Sequence, residues 1–253
     1  MRFLEFGDPA KPALLLIHGY GVSWRMWTRH IESLESRYFV IAVVLTGFDE
    51  KDDADFVSVE QAADDIIAHI EAEYDGKLFA ICGSSLGGTI ALDVLARNRL
   101  DVQKAIIDAG PVYPFGKLYI AFAVRARLLQ NRLIRGRRRV AIKPLENSYM
   151  GEIADDVIRV CSRMSDETCR NVQVSCFSYR LPETISETST EIAYWYGSKE
   201  ALLYRKTLDH IRKLVPDIQV EMFEGYDHGE LCIGNPELFV EKALGFLEAP
   251  VRS

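Results

Sequence analysis

Ser85 lies in the run Ile81-Cys82-Gly83-Ser84-Ser85-Leu86-Gly87-Gly88, where an apolar segment gives way to helical spacing. A serine with glycine two places before and two places after suits a sharp strand-to-helix turn. Such a turn lifts the hydroxyl clear of the backbone and leaves no room for neighbouring side chains. Only Ser85 has glycine at both places; Ser84 occupies the variable position. A serine there could instead merely cap the following helix, but its place after the third apolar run favours a nucleophile. A serine hydroxyl needs a base to take its proton and a further group to hold that base.

Five histidines are available. His30, His69 and His210 fall inside helical patterns and read as surface or helix-flank residues. His18 closes an apolar run in Ile17-His18-Gly19-Tyr20-Gly21 and reads as a hydrogen-bond partner within the turn. His228, in Tyr226-Asp227-His228-Gly229, follows the last strand-like segment, from which an imidazole can reach over the strand ends. It is the candidate base. Glu200, just after Tyr194-Trp195-Tyr196-Gly197, is the favoured acid, and Asp108 is the alternative. Asp227, adjacent to the base, should point elsewhere, and Glu200 could simply favour the start of the next helix. The backbone N–H groups of Tyr20 and Leu86 are candidates to hold a developing oxyanion, Leu86 aided by the helix N-terminus.

The elements that must position these groups alternate. Runs 13–18, 39–45, 77–81, 102–110, 191–197 and 218–225 read as strands. Segments 23–36, 57–74, 85–98, 200–215 and 236–249 read as helices, and 2–6 as a leading edge strand. Nearly continuous apolar runs suit strands buried on both faces. The rhythm predicts an α/β fold, a mostly parallel sheet flanked by helices. It stops between 111 and 190, where about 80 helix-leaning residues interrupt it. This predicts a core of 1–110 and 191–253 with a helical lid, 111–190, inserted between two strands.

Hydrophobic residues at 48% and charged residues at 26% suit a globular chain, and a net charge of −7 argues against nucleic-acid binding. No signal peptide is read at the start and no apolar run is long enough to span a bilayer. Five cysteines without a CxxC pair suit reduced thiols in a cytoplasm, those of 111–190 serving as packing residues. No metal or organic cofactor is expected; the number of subunits stays open.

His18-Gly19-Tyr20-Gly21, Gly83-Ser84-Ser85-Leu86-Gly87-Gly88, Tyr196-Gly197-Ser198-Lys199-Glu200 and Tyr226-Asp227-His228-Gly229 occur in the order of oxyanion loop, serine, acid and histidine. In this the chain resembles the α/β-hydrolase superfamily over 1–110 and 191–253. It departs in carrying Glu200 where aspartate is more usual, and one glycine in Leu45-Thr46-Gly47-Phe48-Asp49-Glu50 where many relatives have a proline-glycine-x-glycine loop. The expectation is a serine hydrolase, carboxylesterase-like, cleaving an ester, thioester or related acyl bond of a small to medium substrate. The same groups also suit carbon–carbon bond hydrolysis or lyase chemistry on an anionic metabolite, an acyl-chain or lipid hydrolase, or a ligand-binding relative without turnover.

Residues 116–143 carry Lys117, Arg125, Arg127, Arg132, Arg135, Arg137, Arg138, Arg139 and Lys143 and no acid. One reading is a solvated basic helix face. The other is attraction of an anionic substrate or a phospholipid surface, with Leu118, Tyr119, Ile120, Phe122 and Val124 as its apolar side.

Overall fold

Successive residues of the apolar runs leave the sheet on opposite faces, so each strand feeds two cores. In β2 (Ala13–Ile17), Leu15 and Ile17 join one buried cluster while Leu14 and Leu16 join the other. Each such fully buried side chain contributes roughly 1.5–3 kcal/mol. The computed structural model describes residues 1–49, 51 and 53–250. Glu50 of the 45–50 turn and the last three residues of the 191–253 segment lie outside the described residues.

The other strands are β1 (Arg2–Phe6), β3 (Phe39–Val44), β4 (Lys77–Ser84), β5 (Asp101–Asp108), β6 (Glu191–Gly197) and β7 (Gln219–Phe223). They form one seven-stranded sheet in the order β1-β3-β2-β4-β5-β6-β7. All neighbours are parallel except the leading edge strand β1, which runs antiparallel to β3. Helices α2 (Val59–Glu73), α3 (Leu86–Ala96) and α8 (Ala201–Leu214) cover one face. Helices α1 (Thr28–Leu34) and α9 (Pro236–Leu247) cover the other.

Two elements differ from the sequence expectation by more than two residues at one end. Strand β4 continues three residues past Ile81, because Cys82, Gly83 and Ser84 pair with Ile106, Ile107 and Asp108. The expected helix 23–36 opens as a 3-10 turn, Trp24–Trp27, with the Ser23 hydroxyl accepting from Arg25 N–H, before α1 begins. Between β5 and β6 lie α4 (Lys117–Arg135), α5 (Arg139–Glu146), α6 (Ala154–Arg163) and α7 (Asp166–Ser178), inserted into the rhythm of the sheet. Cys161, Cys169 and Cys176 of this insertion are buried among apolar neighbours.

Candidate functional site

Ser85 stands between the end of β4 and the start of α3, with φ 53° and ψ −113°. A non-glycine residue held there stores about 1–3 kcal/mol. The packing that enforces it is tight. A Cβ on Gly83 would sit 2.2 Å from the Gly87 oxygen, and one on Gly87 would sit 2.2 Å from the Ile17 oxygen. The Ser85 N–H also donates to the Asp108 carbonyl at 2.7 Å.

His228 follows β7 in a loop that presses on the loop after β6. A Cβ on Gly197 would lie 2.2 Å from the Tyr226 oxygen, and Lys199 N–H donates to that same oxygen at 3.2 Å. Across this contact, His228 Nδ1 is 2.6 Å from Glu200 Oε1, and His228 Nε2 is 2.8 Å from Ser85 Oγ. In the neutral tautomer that fits both, Nδ1–H donates to the carboxylate and the Ser85 hydroxyl donates to Nε2. Glu200 is 5% exposed and occupies the N-cap position of α8, yet its side chain makes no cap bond. It turns inward to the imidazole. Burial acts against a protonated His228, but the hydrogen bond and charge of Glu200 outweigh it and hold its pKa above 6.5.

Asp108, at the end of β5, is buried and accepts from Ser84 Oγ at 2.8 Å, and no hydrogen bond joins it to His228 among the described residues. Burial pushes its carboxyl up to about 6, against the Ser84 bond and the His228 charge. Asp227 accepts from the His228 N–H at 2.8 Å and so faces its own backbone. His18 is buried; its Nε2 accepts from Leu45 N–H at 3.2 Å and its Nδ1 lies 2.9 Å from the Gly19 oxygen. His30 corrects the sequence expectation. It is 1% exposed, edge-on to Trp27 and Phe239, and burial drives its pKa down to about 3.

The Gly19–Gly21 turn runs beside the serine: a Cβ on Gly19 would lie 3.5 Å from Ser85 Cβ. Among the described residues neither Tyr20 N–H nor Leu86 N–H donates to another group of the chain. The Tyr20 side chain reaches into the insertion instead. Its hydroxyl accepts from Asn131 Nδ2 at 2.9 Å and lies 3.2 Å from Cys169 Sγ, while the Arg127 guanidinium stands 5.6 Å from its ring centre.

Two tyrosines at the site escaped the sequence reading. Tyr204 Oη donates to the Ala109 carbonyl at 2.7 Å and lies 3.5 Å from His228 Nδ1. Its signal was available: four residues after Glu200, it shares that helix face. Tyr149, from the insertion, donates its hydroxyl to the His228 carbonyl; nothing local in the sequence marks it. Among the described residues no group of three or more His, Cys, Asp or Glu side chains could hold a metal.

Sheet order, the sharp turn at Ser85 and the helical insertion define an α/β-hydrolase fold. A model of the alpha/beta hydrolase family matches residues 14–242, and the chain belongs to that family. Lipase 1 of Psychrobacter immobilis is 24% identical over 248 residues, covering 90% of this chain and 74% of that protein. Mouse epoxide hydrolase 4 is 32% identical over 93 residues, 36% of this chain and 26% of that one. Among solved structures, a study of carboxylesterases of Nitrososphaera gargenis gives a fold superposing with a TM-score of 0.78 at 21% identity, covering 97% and 93% of the two chains. Among the described residues no helix is long and apolar enough to cross a membrane.

Proposed function

We propose that this chain is a serine hydrolase that cleaves an ester, thioester or related acyl bond, its core formed by 1–110 and 191–253 and its lid by 111–190. The observation that carries this is the continuous path from Glu200 through His228 to Ser85, at 2.6 and 2.8 Å. Ser85 Oγ attacks the acyl carbonyl while His228 Nε2 takes its proton. Glu200 keeps the ring in the right tautomer and stabilises the imidazolium that forms. The Tyr20 and Leu86 N–H groups receive the oxyanion; one such donor is worth about 3 kcal/mol in the transition state. His228 then gives its proton to the leaving group, and water, activated by the same imidazole, releases the acyl group. A lipase and carboxylesterases among the similar proteins suit ester substrates. The reading includes a cytoplasmic setting, in keeping with five free, buried cysteines.

A second reading concerns the substrate's charge. Arg127 stands over the Tyr20 ring with Gln130 as its hydrogen-bond partner, and no carboxylate pairs with it among the described residues. A cation beside the candidate oxyanion loop suits an anionic acyl compound, including the carbon–carbon bond and lyase substrates that share this chemistry.

Turnover of a series of nitrophenyl esters from short to long acyl chains tests the proposal. Ser85→Ala and His228→Ala should each lower kcat by about 10⁴-fold or more. Ester hydrolysis that persists unchanged in Ser85→Ala would refute it.

A further inference from the structure

Helix α4 is apolar on two faces. Its inner face packs on α6 and α7, with Val124, Asn131 and Ile134 buried. Its outer face should then be polar, and it is not. Leu118 is 89% exposed, Phe122 69% and Leu129 59%, and with Arg125 they follow the spacing of a single helical stripe. The stripe is continued by a second element. An open groove of about 490 Å³ is lined by Pro114, Phe115 and Gly116 on one side and by Leu202, Leu203 and Arg205 of α8 on the other. Leu202 is 84% exposed. Phe115 stacks on Tyr119 at 4.8 Å, so the groove wall runs directly into α4.

Along the two segments that carry these side chains the charge has one sign. In a chain of net charge −7, no Asp or Glu occurs from Ala109 to Leu145 or from Ala201 to Leu208. Lys117, Arg125, Arg205 and Lys206 are all exposed at this surface. Leucine and phenylalanine side chains that stand proud of the surface suit penetration of a soft medium better than seating in a rigid pocket. Cations without acids require that the medium be negative. The stripe from Leu118 to Leu129 runs about 17 Å along the helix.

We propose that the outer stripe of α4 and the first turn of α8 together dock on an anionic phospholipid bilayer. Leu118, Phe122 and Leu202 enter below the headgroups, and Lys117, Arg125, Arg205 and Lys206 meet the lipid phosphates. Apolar insertion and basic attraction are two weak signals that combine into stable, reversible attachment. The inference stands apart from the chemistry of Ser85, because none of these residues touches the candidate site.

Co-sedimentation of the full chain with vesicles tests it. Vesicles of phosphatidylcholine mixed with phosphatidylglycerol should bind at least about tenfold more tightly than phosphatidylcholine alone, and added salt should weaken the binding. Leu118→Ser combined with Phe122→Ser should lower partitioning to the mixed vesicles by about tenfold or more. Lys117→Glu combined with Arg125→Glu should erase the preference for the anionic lipid. All four side chains are exposed, so thermal melting should be unchanged and loss of fold is excluded as the cause. Absence of binding to the mixed vesicles, equal binding to both vesicles, or binding untouched by the Leu118 and Phe122 substitutions would overturn the proposal. So would self-association of the chain that these substitutions abolish without any vesicle binding.

Discussion

The hydroxyl of Ser84 donates to the carboxylate of Asp108 at 2.8 Å, one residue before the serine whose hydroxyl meets His228. Neighbouring serines thus face different partners, since successive side chains at a strand end alternate in direction. The bond occupies one of the two carboxylates considered for the candidate acid. The other, Glu200, makes its only side-chain hydrogen bond among the described residues to the imidazole, and its Oε2 is buried with no partner among them.

Glu200→Gln and Asp108→Asn should therefore behave differently. Glu200→Gln should lower kcat by about 10³–10⁴-fold, as expected when the group that fixes the tautomer is lost. Asp108→Asn, whose amide oxygen can still accept from Ser84, should stay within about tenfold of the parent. Steady-state kinetics on one nitrophenyl ester checks both, and the reverse order would move the acid role to Asp108.

The acid side of the pH profile follows from His228. A base must be unprotonated, and Glu200 holds this pKa above its ordinary 6.5. The kcat/KM profile should fall as pH drops, with its midpoint above 6.5. In Glu200→Gln burial is opposed only by the weaker charge of Asp108, so the residual activity should have its midpoint shifted to lower pH. A midpoint that does not move would contradict this electrostatic account.

The backbone at Ser85 predicts a trade of stability for geometry. Ser85→Gly should relieve the positive φ and raise stability over Ser85→Ala by about 1 kcal/mol. Gly83→Ala and Gly87→Ala, which force a Cβ to 2.2 Å from a backbone oxygen, should each be strongly destabilising. Thermal and denaturant melts read all four variants.

Asp108 also carries a stability prediction. Its folded pKa of about 6 exceeds its ordinary 3.8, so between these values the native state keeps a proton that the unfolded chain has released. Stability falls as pH rises through that window, by up to about 3 kcal/mol once the group ionises. Asp108→Asn removes the loss. Its Tm advantage over the parent should be larger near about pH 8 than near about pH 4. An equal difference at both would show that burial of the charge costs nothing.

Arg127 bears on the charge of the substrate. If the substrate is anionic, Arg127→Gln should lower the ratio of kcat/KM for a nitrophenyl monoester of a dicarboxylic acid to that for its neutral counterpart by about tenfold. An unchanged ratio would remove Arg127 from substrate selection.

Much of the frame was legible because its signals are local. The runs at 13–18, 39–45 and 191–197 are nearly continuous in apolar residues, and Gly83, Gly87 and Ser85 follow a spacing that only a tight turn requires. Strand β4 outruns its sequence signal by three residues because Cys82, Gly83 and Ser84 carry little strand preference; pairing with β5 extends it. His30 departs from the surface expectation because its helix is short and Phe239, far along the chain, packs on its ring. The attachment of Tyr20 to Asn131 and of Tyr149 to the His228 backbone was invisible for the same reason. Within the insertion the sequence shows helices but not which faces meet the sheet.

The most direct measurement is intact-protein mass after exposure to a fluorophosphonate. The account predicts a single adduct on the parent chain, none on Ser85→Ala, and much slower labelling of His228→Ala. A parent chain that stays unmodified, or an adduct that persists in Ser85→Ala, would contradict it.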